Sequence, residues 1–392
     1  MPTTLRLGLF YAALFIGTGA SGPYAGVWFR AHGLSGAAIG LILALPQLGR
    51  ALTGPALALW ADGFKLRRTP IALICAGMGM GYVGLAAANG FWPWLGLWFV
   101  SQSLMANISP LADVIALRRA RAEGFNYGWP RGIGSAAYVV GNIGMGVVLH
   151  FARPDALLVW ITAGAAAVSL AAQTLLPAEQ VHDAPLDRRA RFAGLRLLLG
   201  DPVFLLAIGS SGLIQASHGF YYGFSVLAWE AQGVPSWMTG GLWGVGVVAE
   251  IGFLWFLEPW RRRIGPERLL VLGGIGAVTR WTCLALSPPL WLLIAIQTLH
   301  CLSFTATFLG SLQLMERLAP PSAASLAQTL NSVFTGGFLI GLSTMAAGRL
   351  FDAVGAHGYL AMSAIALVGL AGAAYLGPLQ RARQSMAQPD AA

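Results

Sequence analysis

Charge is what this chain has least of. Only 10% of its 392 residues are Asp, Glu, Lys or Arg, against roughly a quarter in an ordinary soluble domain, so a water-surrounded globular fold is excluded. Cysteine is almost missing as well. Cys75, Cys283 and Cys301 lie inside apolar runs without metal-ligand spacing and read as small packing residues, with no metal site implied. No HExxH, GxSxG, phosphate-binding loop or cysteine cluster occurs, which removes the common signatures of hydrolases and nucleotide enzymes. The stretch GMGYVG at 79–84 matches a dinucleotide pattern in letters alone. No strand precedes it, and close helix packing by small residues explains it better.

What the chain has instead is long apolar blocks. Its residues are 56% hydrophobic and its mean hydropathy is +0.67. About twenty apolar residues cross a hydrocarbon core of roughly 30 Å. Twelve blocks of that kind run from 5–29 to 357–378, so the fold class is an all-α membrane protein with twelve transmembrane helices. The first block is too long for a cleaved signal peptide and lacks a strongly basic start, so it is read as a retained helix.

The net charge of +9 would suggest a nucleic-acid partner in a soluble protein, but its distribution gives another meaning. Of 24 basic residues, 18 fall at alternate connections and at the two ends, including Lys65, Arg67 and Arg68, Arg118, Arg119 and Arg121, and Arg261, Arg262 and Arg263. The opposite connections hold only Arg30, Arg153 and Arg349. By the positive-inside rule both termini are cytoplasmic, in the inner membrane of a bacterial-type cell. The expected partners are the lipid bilayer, a small-molecule substrate and protons, with no nucleic acid and no cofactor, and the expected state is a monomer.

A long polar connection at 178–202 separates six blocks from six, giving bundles at 1–177 and 203–380 and a tail at 381–392. An offset of 200 residues superposes the halves. GLSGAAIG at 33–40 falls on GVPSWMTG at 233–240, and ADGFKLRR at 61–68 on RRRIGPER at 261–268; Arg50 meets Glu250, Asp113 meets Gln313 and Arg131 meets Asn331. Duplicated six-helix units with a substrate site between them near the midplane are a common transporter plan.

This plan, with Asp62 heading a basic turn, resembles the major facilitator superfamily over nearly the whole chain. The turn departs from the family pattern at Ala58 and Lys65, where glycines usually stand. LADVIALRRARAEGFNYGWPRGIGS, YYGFSVLAWEAQG and LHCLSFTATFLG are similar to the proton-coupled lactose-permease-like branch, and most of all to its phenylpropionate-permease members. The resemblance implies a major facilitator fold and alternating access. It also implies a sugar-binding-type pair in Asp113 and Arg131, and proton coupling at Arg280 and His300. The stacking tryptophan of lactose permeases is here Tyr138, and the carboxylate three residues after the histidine is here Ser303.

The residues themselves support a polar interior. An ionised group at mid-bilayer is costly, so it is expected to be paired and to face a cavity. Glu250 lies eleven residues before Arg261, and Arg280 twelve after Arg268, each ~17 Å from the turn at 1.5 Å per residue. The two can pair, with His300 at the same depth and Phe304 continuing its helix face. Asp113 and Arg131 can pair likewise, and Arg131, Ser135, Tyr138 and Asn142 share one helix face. Gln215, His218, Tyr222 and Ser225 form another stripe, and Arg50 is a further midplane cation. The interior therefore holds three arginines against two carboxylates, which favours an anionic substrate.

The expected proton-coupling residues are Glu250, Arg280, His300 and Asp113. The expected substrate contacts are Arg131, Asp113, Tyr138, Arg50, His218, Tyr222 and Phe304, and the cytoplasmic gate is Asp62 with Arg67 and Arg68. Static salt bridges, aromatic packing and a solvated turn carboxylate are the competing readings. The function expected is proton-coupled import of a small, aromatic carboxylate. The alternatives are a sugar or nucleoside symporter, a drug exporter, or a membrane sensor without flux.

Overall fold

The computed structural model describes residues 1–179, 188–320 and 323–387, and side chains are not described at 188–193, 325 and 382–387. Part of the expected linker (180–187) and the end of the expected tail (388–392) lie outside the described residues, as do the side chains of Arg188, Arg189, Arg191 and Arg383.

All regular structure among the described residues is helical. Hydrocarbon offers no hydrogen-bond partner, so each crossing segment must satisfy its own backbone. Spans 1 to 6 are Thr3–Ala31, Gly36–Asp62, Arg68–Ala87, Phe91–Glu123, Gly128–Phe151 and Ala156–Thr174. After a short helix at Arg188–Leu199, spans 7 to 10 are Pro202–Ala231, Ser236–Phe256, Glu258–Ala285 and Leu290–Leu318. The last apolar stretch, Leu326–Arg381, has 56 residues, about 84 Å of helix at 1.5 Å per residue. A turn at Gly355–Gly358 divides it into spans 11 and 12, so the described residues hold twelve spans. The basic stretch at the start of span 9 is helical up to a kink at Gly265, whose φ of 78° only glycine adopts readily.

The offset of 200 residues reappears in the backbone. Gly33 and Gly233 both sit at φ 83°, and Leu34 and Val234 each return a backbone bond to the residue five before, at 3.2 and 2.9 Å. One left-handed turn thus closes both spans 1 and 7. Trp60 and Trp260 recur at the same offset, each 42% exposed. With the exposed Trp92, Trp129, Trp237 and Trp291 they form the interfacial aromatic belts of a membrane protein.

Contacts divide the chain into two compact units, Met1–Ala184 with Tyr222–Gly244, and Pro185–Tyr221 with Val245–Ala392. In the first unit, spans 1 and 5 meet through glycines. A Cβ on Gly141 would stand 2.2 Å from the Ile16 carbonyl oxygen, and one on Gly19 would stand 2.3 Å from that of Tyr138. This approach brings Tyr11 and Phe15 on span 1 against Arg131 on span 5. In the second unit, spans 7 and 9 pack on span 12, and span 9 on span 10.

Spans 7, 10 and 11 are interrupted where that unit is most polar. Span 7 breaks at Ser217 and His218, span 10 opens into a π-helical turn at Cys301–Ala306, and span 11 does so at Phe334–Leu339. Such widened turns are frequent at functional sites.

The glycine contact sets a test. Gly141→Ala should destabilise the protein by about 1–3 kcal/mol, because a backbone carbonyl cannot move aside. Gly22→Ala, which meets nothing within 4 Å, should not. Thermal unfolding of the purified protein in detergent measures both.

Candidate functional site: two intramembrane charge clusters

In the first unit, the carboxylate of Asp113 and the guanidinium of Arg131 are joined through aromatic groups. Tyr11 Oη donates to Asp113 Oδ1 at 2.5 Å. The Arg131 guanidinium carbon lies 5.2 Å from the Tyr11 ring centroid and 4.7 Å from that of Phe15. Arg131 also donates to Ser109 Oγ at 3.1 Å. The expected direct pair is thus corrected to an indirect one: Tyr11 occupies the space between acid and base, stacked on the cation and bonded to the anion. Tyr127, in the connection before span 5, joins the group. Its phenol is pushed up to about 12, first by burial and then by the Asp113 carboxylate.

Tyr138 lies half-buried two turns beyond Arg131. One turn further, Asn142 is buried, and its side-chain amide has no partner among the described residues. Its backbone carbonyl accepts from Tyr24 Oη at 3.1 Å. Arg50 is half-buried in the middle of span 2 and makes no hydrogen bond or ion pair with a described residue. Tyr222, in the segment that packs with this unit, stacks on Trp243 with centroids 6.0 Å apart.

The expected gate is arranged differently from its sequence reading. Asp62 is exposed and unpaired among the described residues. Arg68 donates to the Gln173 carbonyl at 3.2 Å, and the backbone N–H of Arg67 to that of Glu179 at 2.9 Å. Glu179, which the sequence did not single out, also lies 2.7 Å from Arg119. Glu179, through its backbone carbonyl to Arg67 and its carboxylate to Arg119, ties these basic connections together in this structure.

In the second unit, Glu250 and Arg280 meet through a histidine. Arg280 Nη1 lies 2.7 Å from His300 Nδ1, and His300 Nε2 lies 2.9 Å from Glu250 Oε1. A guanidinium can only donate, so Nδ1 accepts and the ring proton sits on Nε2, donated to the carboxylate. His300 is neutral in this arrangement, and the direct pairing expected from depth is corrected to Glu250–His300–Arg280. Arg280 has no exposed surface. It donates further to Gln297 Oε1 at 2.8 Å and Ser303 Oγ at 3.4 Å, and lies over the rings of Tyr221 at 4.2 Å and Trp281 at 4.7 Å.

His218 extends the chain. Its Nδ1 faces the Gln215 carbonyl at 3.1 Å and must donate; its Nε2 then accepts from Ser303 Oγ at 3.2 Å, so this ring is neutral too. Phe304 stacks on His300 with centroids 5.3 Å apart, and its carbonyl accepts from Gln215. Among the described residues no group of His, Cys, Asp and Glu could hold a metal ion. Sequence reasoning missed Tyr11, Phe15, Ser109 and Glu179, none of which carries a signal in local pattern.

A set of twelve apolar spans with hydrogen-bonded charges inside them is the plan of a membrane transporter. The MFS_1 like family matches residues 4–361, and the chain belongs to it: it is a multi-pass transporter of the major facilitator superfamily. It is 28% identical over 375 residues to the probable 3-phenylpropionic acid transporter of Escherichia coli (strain K12), covering 94% of this chain and 96% of that one. It is also 28% identical to the maltose permease of Geobacillus stearothermophilus, over 92% and 91% of the two chains. The crystal structure of the nucleoside transporter NupG has the same fold, with a TM-score of 0.85 at 15% identity over 96% of this chain and 99% of that one.

Removing the bridging ring separates two effects. His300→Phe leaves a buried guanidinium and carboxylate without their link and should cost about 3–5 kcal/mol. Glu250→Gln keeps an acceptor for Nε2–H and should cost much less. Chemical unfolding in detergent distinguishes them.

Proposed function

We propose that the protein is a secondary active transporter of the inner membrane that couples proton movement to uptake of a small aromatic carboxylate by alternating access, with both termini cytoplasmic. The observation that carries this reading is Arg50, half-buried at mid-span without a described partner. With Arg131 it gives spans 1 to 6 two interior cations against the carboxylate Asp113. A carboxylate substrate supplies the missing charge and fits the planar fork of an arginine. Similarity to a probable 3-phenylpropionic acid transporter supports the same class.

Proton coupling is assigned to the second unit. Glu250 bonds a neutral imidazole that is itself held by Arg280. Protonating the carboxylate removes the counter-charge of Arg280 and leaves a neutral carbonyl oxygen to accept the weakened His300 bond. Asp113, bonded to Tyr11, is the second candidate proton carrier. Arg131, Tyr138, Arg50 and the aromatic groups Tyr222 and Phe304 are proposed as substrate contacts, with His218 as a fixed neutral support. The gate role of Asp62 then belongs to a conformation in which it meets Arg67 or Arg68.

A sugar symporter is the second reading, favoured by the similarity to a maltose permease. Charge selectivity separates the two. Arg131→Lys should weaken binding of an aromatic acid such as 3-phenylpropionate by about 1.5–3 kcal/mol, roughly tenfold to a hundredfold, because an ammonium cannot make two parallel hydrogen bonds. The neutral amide of that acid should bind poorly to the unmodified protein. Equal affinities for acid and amide in calorimetry would reject the carboxylate reading.

Glu250→Gln tests coupling. In reconstituted vesicles it should lose uptake driven by an imposed pH gradient while retaining exchange of internal for external substrate. Full gradient-driven uptake by that variant removes Glu250 from the proton path.

A further inference from the structure

Where the helix Arg188–Leu199 turns into span 7, it forms a groove of about 1220 Å³ with the ends of spans 10 and 12. This is larger than the roughly 300–1,000 Å³ of small-molecule pockets. The groove opens at the end of the second unit where the basic connections lie. Two arginines line it. Arg196 is exposed and has no hydrogen bond or ion pair with a described residue. Arg317 is anchored by Glu267 and by Gln380 Oε1, both through one terminal nitrogen, which leaves the rest of the fork available. The acid in the wall, Asp201, is engaged in capping span 7, where it accepts from the Val203 N–H at 2.9 Å.

The remaining wall is apolar, and the helix beside it presents leucine to the outside. Leu197 is 59% and Leu199 50% exposed, while Leu198 is buried. Its sequence, RRARFAGLRLLL, places four arginines among these leucines. A short basic helix with exposed leucines lies naturally in the headgroup layer, and basic pockets at the ends of membrane helices attract anionic headgroups.

We propose that this groove is a binding site for an anionic phospholipid. The phosphodiester sits between Arg196 and Arg317, and the upper acyl chains lie along Leu197, Leu318 and Leu379. A soluble anion would need the two cations but not the apolar wall or the exposed leucines; a zwitterionic lipid would need the wall but carries no net charge to match the arginines. A lipid held here would brace the connection leading into span 7.

Native mass spectrometry of the full-length protein in mild detergent, titrated with palmitoyl-oleoyl phosphatidylglycerol or the matching phosphatidylcholine, tests the proposal. Phosphatidylglycerol should bind more tightly than phosphatidylcholine. Arg196→Gln should weaken phosphatidylglycerol by roughly fivefold, the effect of one arginine near an anionic surface, and Arg196→Lys should restore most of the affinity. Arg153→Gln, in an opposite connection, should change nothing. Equal binding of the two lipids by the unmodified protein would overturn the proposal without any variant. So would an unchanged affinity in Arg196→Gln, and complete displacement of the lipid by glycerol phosphate would assign the groove to a soluble anion.

Discussion

A guanidinium with no exposed surface must be surrounded by acceptors and by opposite charge, and the interior of the second unit is organised around that need. Arg280 cannot lose its proton, so every neighbour within reach has to accept or present a π-face. Gln297, Ser303 and His300 accept from it, and Tyr221 and Trp281 cover it. Because His300 must accept on Nδ1, it can only donate on Nε2, and Glu250 is the group it finds there. One cation thereby fixes the tautomer of a histidine and, through it, the position of a carboxylate. Through Ser303 it also sets the orientation of His218. The breaks in spans 7 and 10 fall at these residues, where a regular helix would not deliver a ring and a hydroxyl to the same point.

The first unit solves the same problem with less. Arg131 rests on Tyr11 and Phe15, donates to a serine, and reaches its counter-charge only through the Tyr11 hydroxyl. The two sequence repeats keep the turn at Gly33 and Gly233 and the interfacial Trp60 and Trp260. Their interior polar residues diverge, with Arg50, Asp113 and Arg131 against Glu250, Gln313 and Asn331. Backbone geometry and bilayer matching constrain both repeats alike, whereas interior chemistry is free to differ. In the second repeat, Asn331 joins a hydroxyl network with Ser311, 2.9 Å away, rather than an ion pair.

That division also explains what could be read without a structure. Spans and interior charges follow from hydropathy and charge counting, because the bilayer penalises each misplaced polar group by kilocalories. Depth along a helix is equally legible: Glu250, Arg280 and His300 do meet. Which residue stands between two partners is not legible. Depth fixes one coordinate, while the rotation of each helix and the rotamer at its surface decide whether Glu250 reaches Arg280 directly or through His300. Tyr11 escaped notice for the same reason. An aromatic residue on an apolar helix carries no mark of its role, and its approach to Arg131 depends on glycines, Gly19 and Gly141, whose packing partners lie more than a hundred residues away. Asp62 is the converse case: its sequence context draws attention, while in this structure it is Glu179 that ties the basic connections.

The unpaired state of Arg50 is the feature that packing alone does not explain. A static bundle gains nothing from a lone cation at mid-span, since an ionised side chain there costs from roughly 3 to above 10 kcal/mol and a leucine would fill the position without that penalty. Arg280 shows what a structural arginine in this protein looks like, with acceptors, rings and a relayed carboxylate all in place. Arg50 has none of these among the described residues. A charge left unsatisfied while another in the same chain is fully coordinated fits a group whose partner comes and goes, and in the proposed transport cycle that partner is the carboxylate of the substrate.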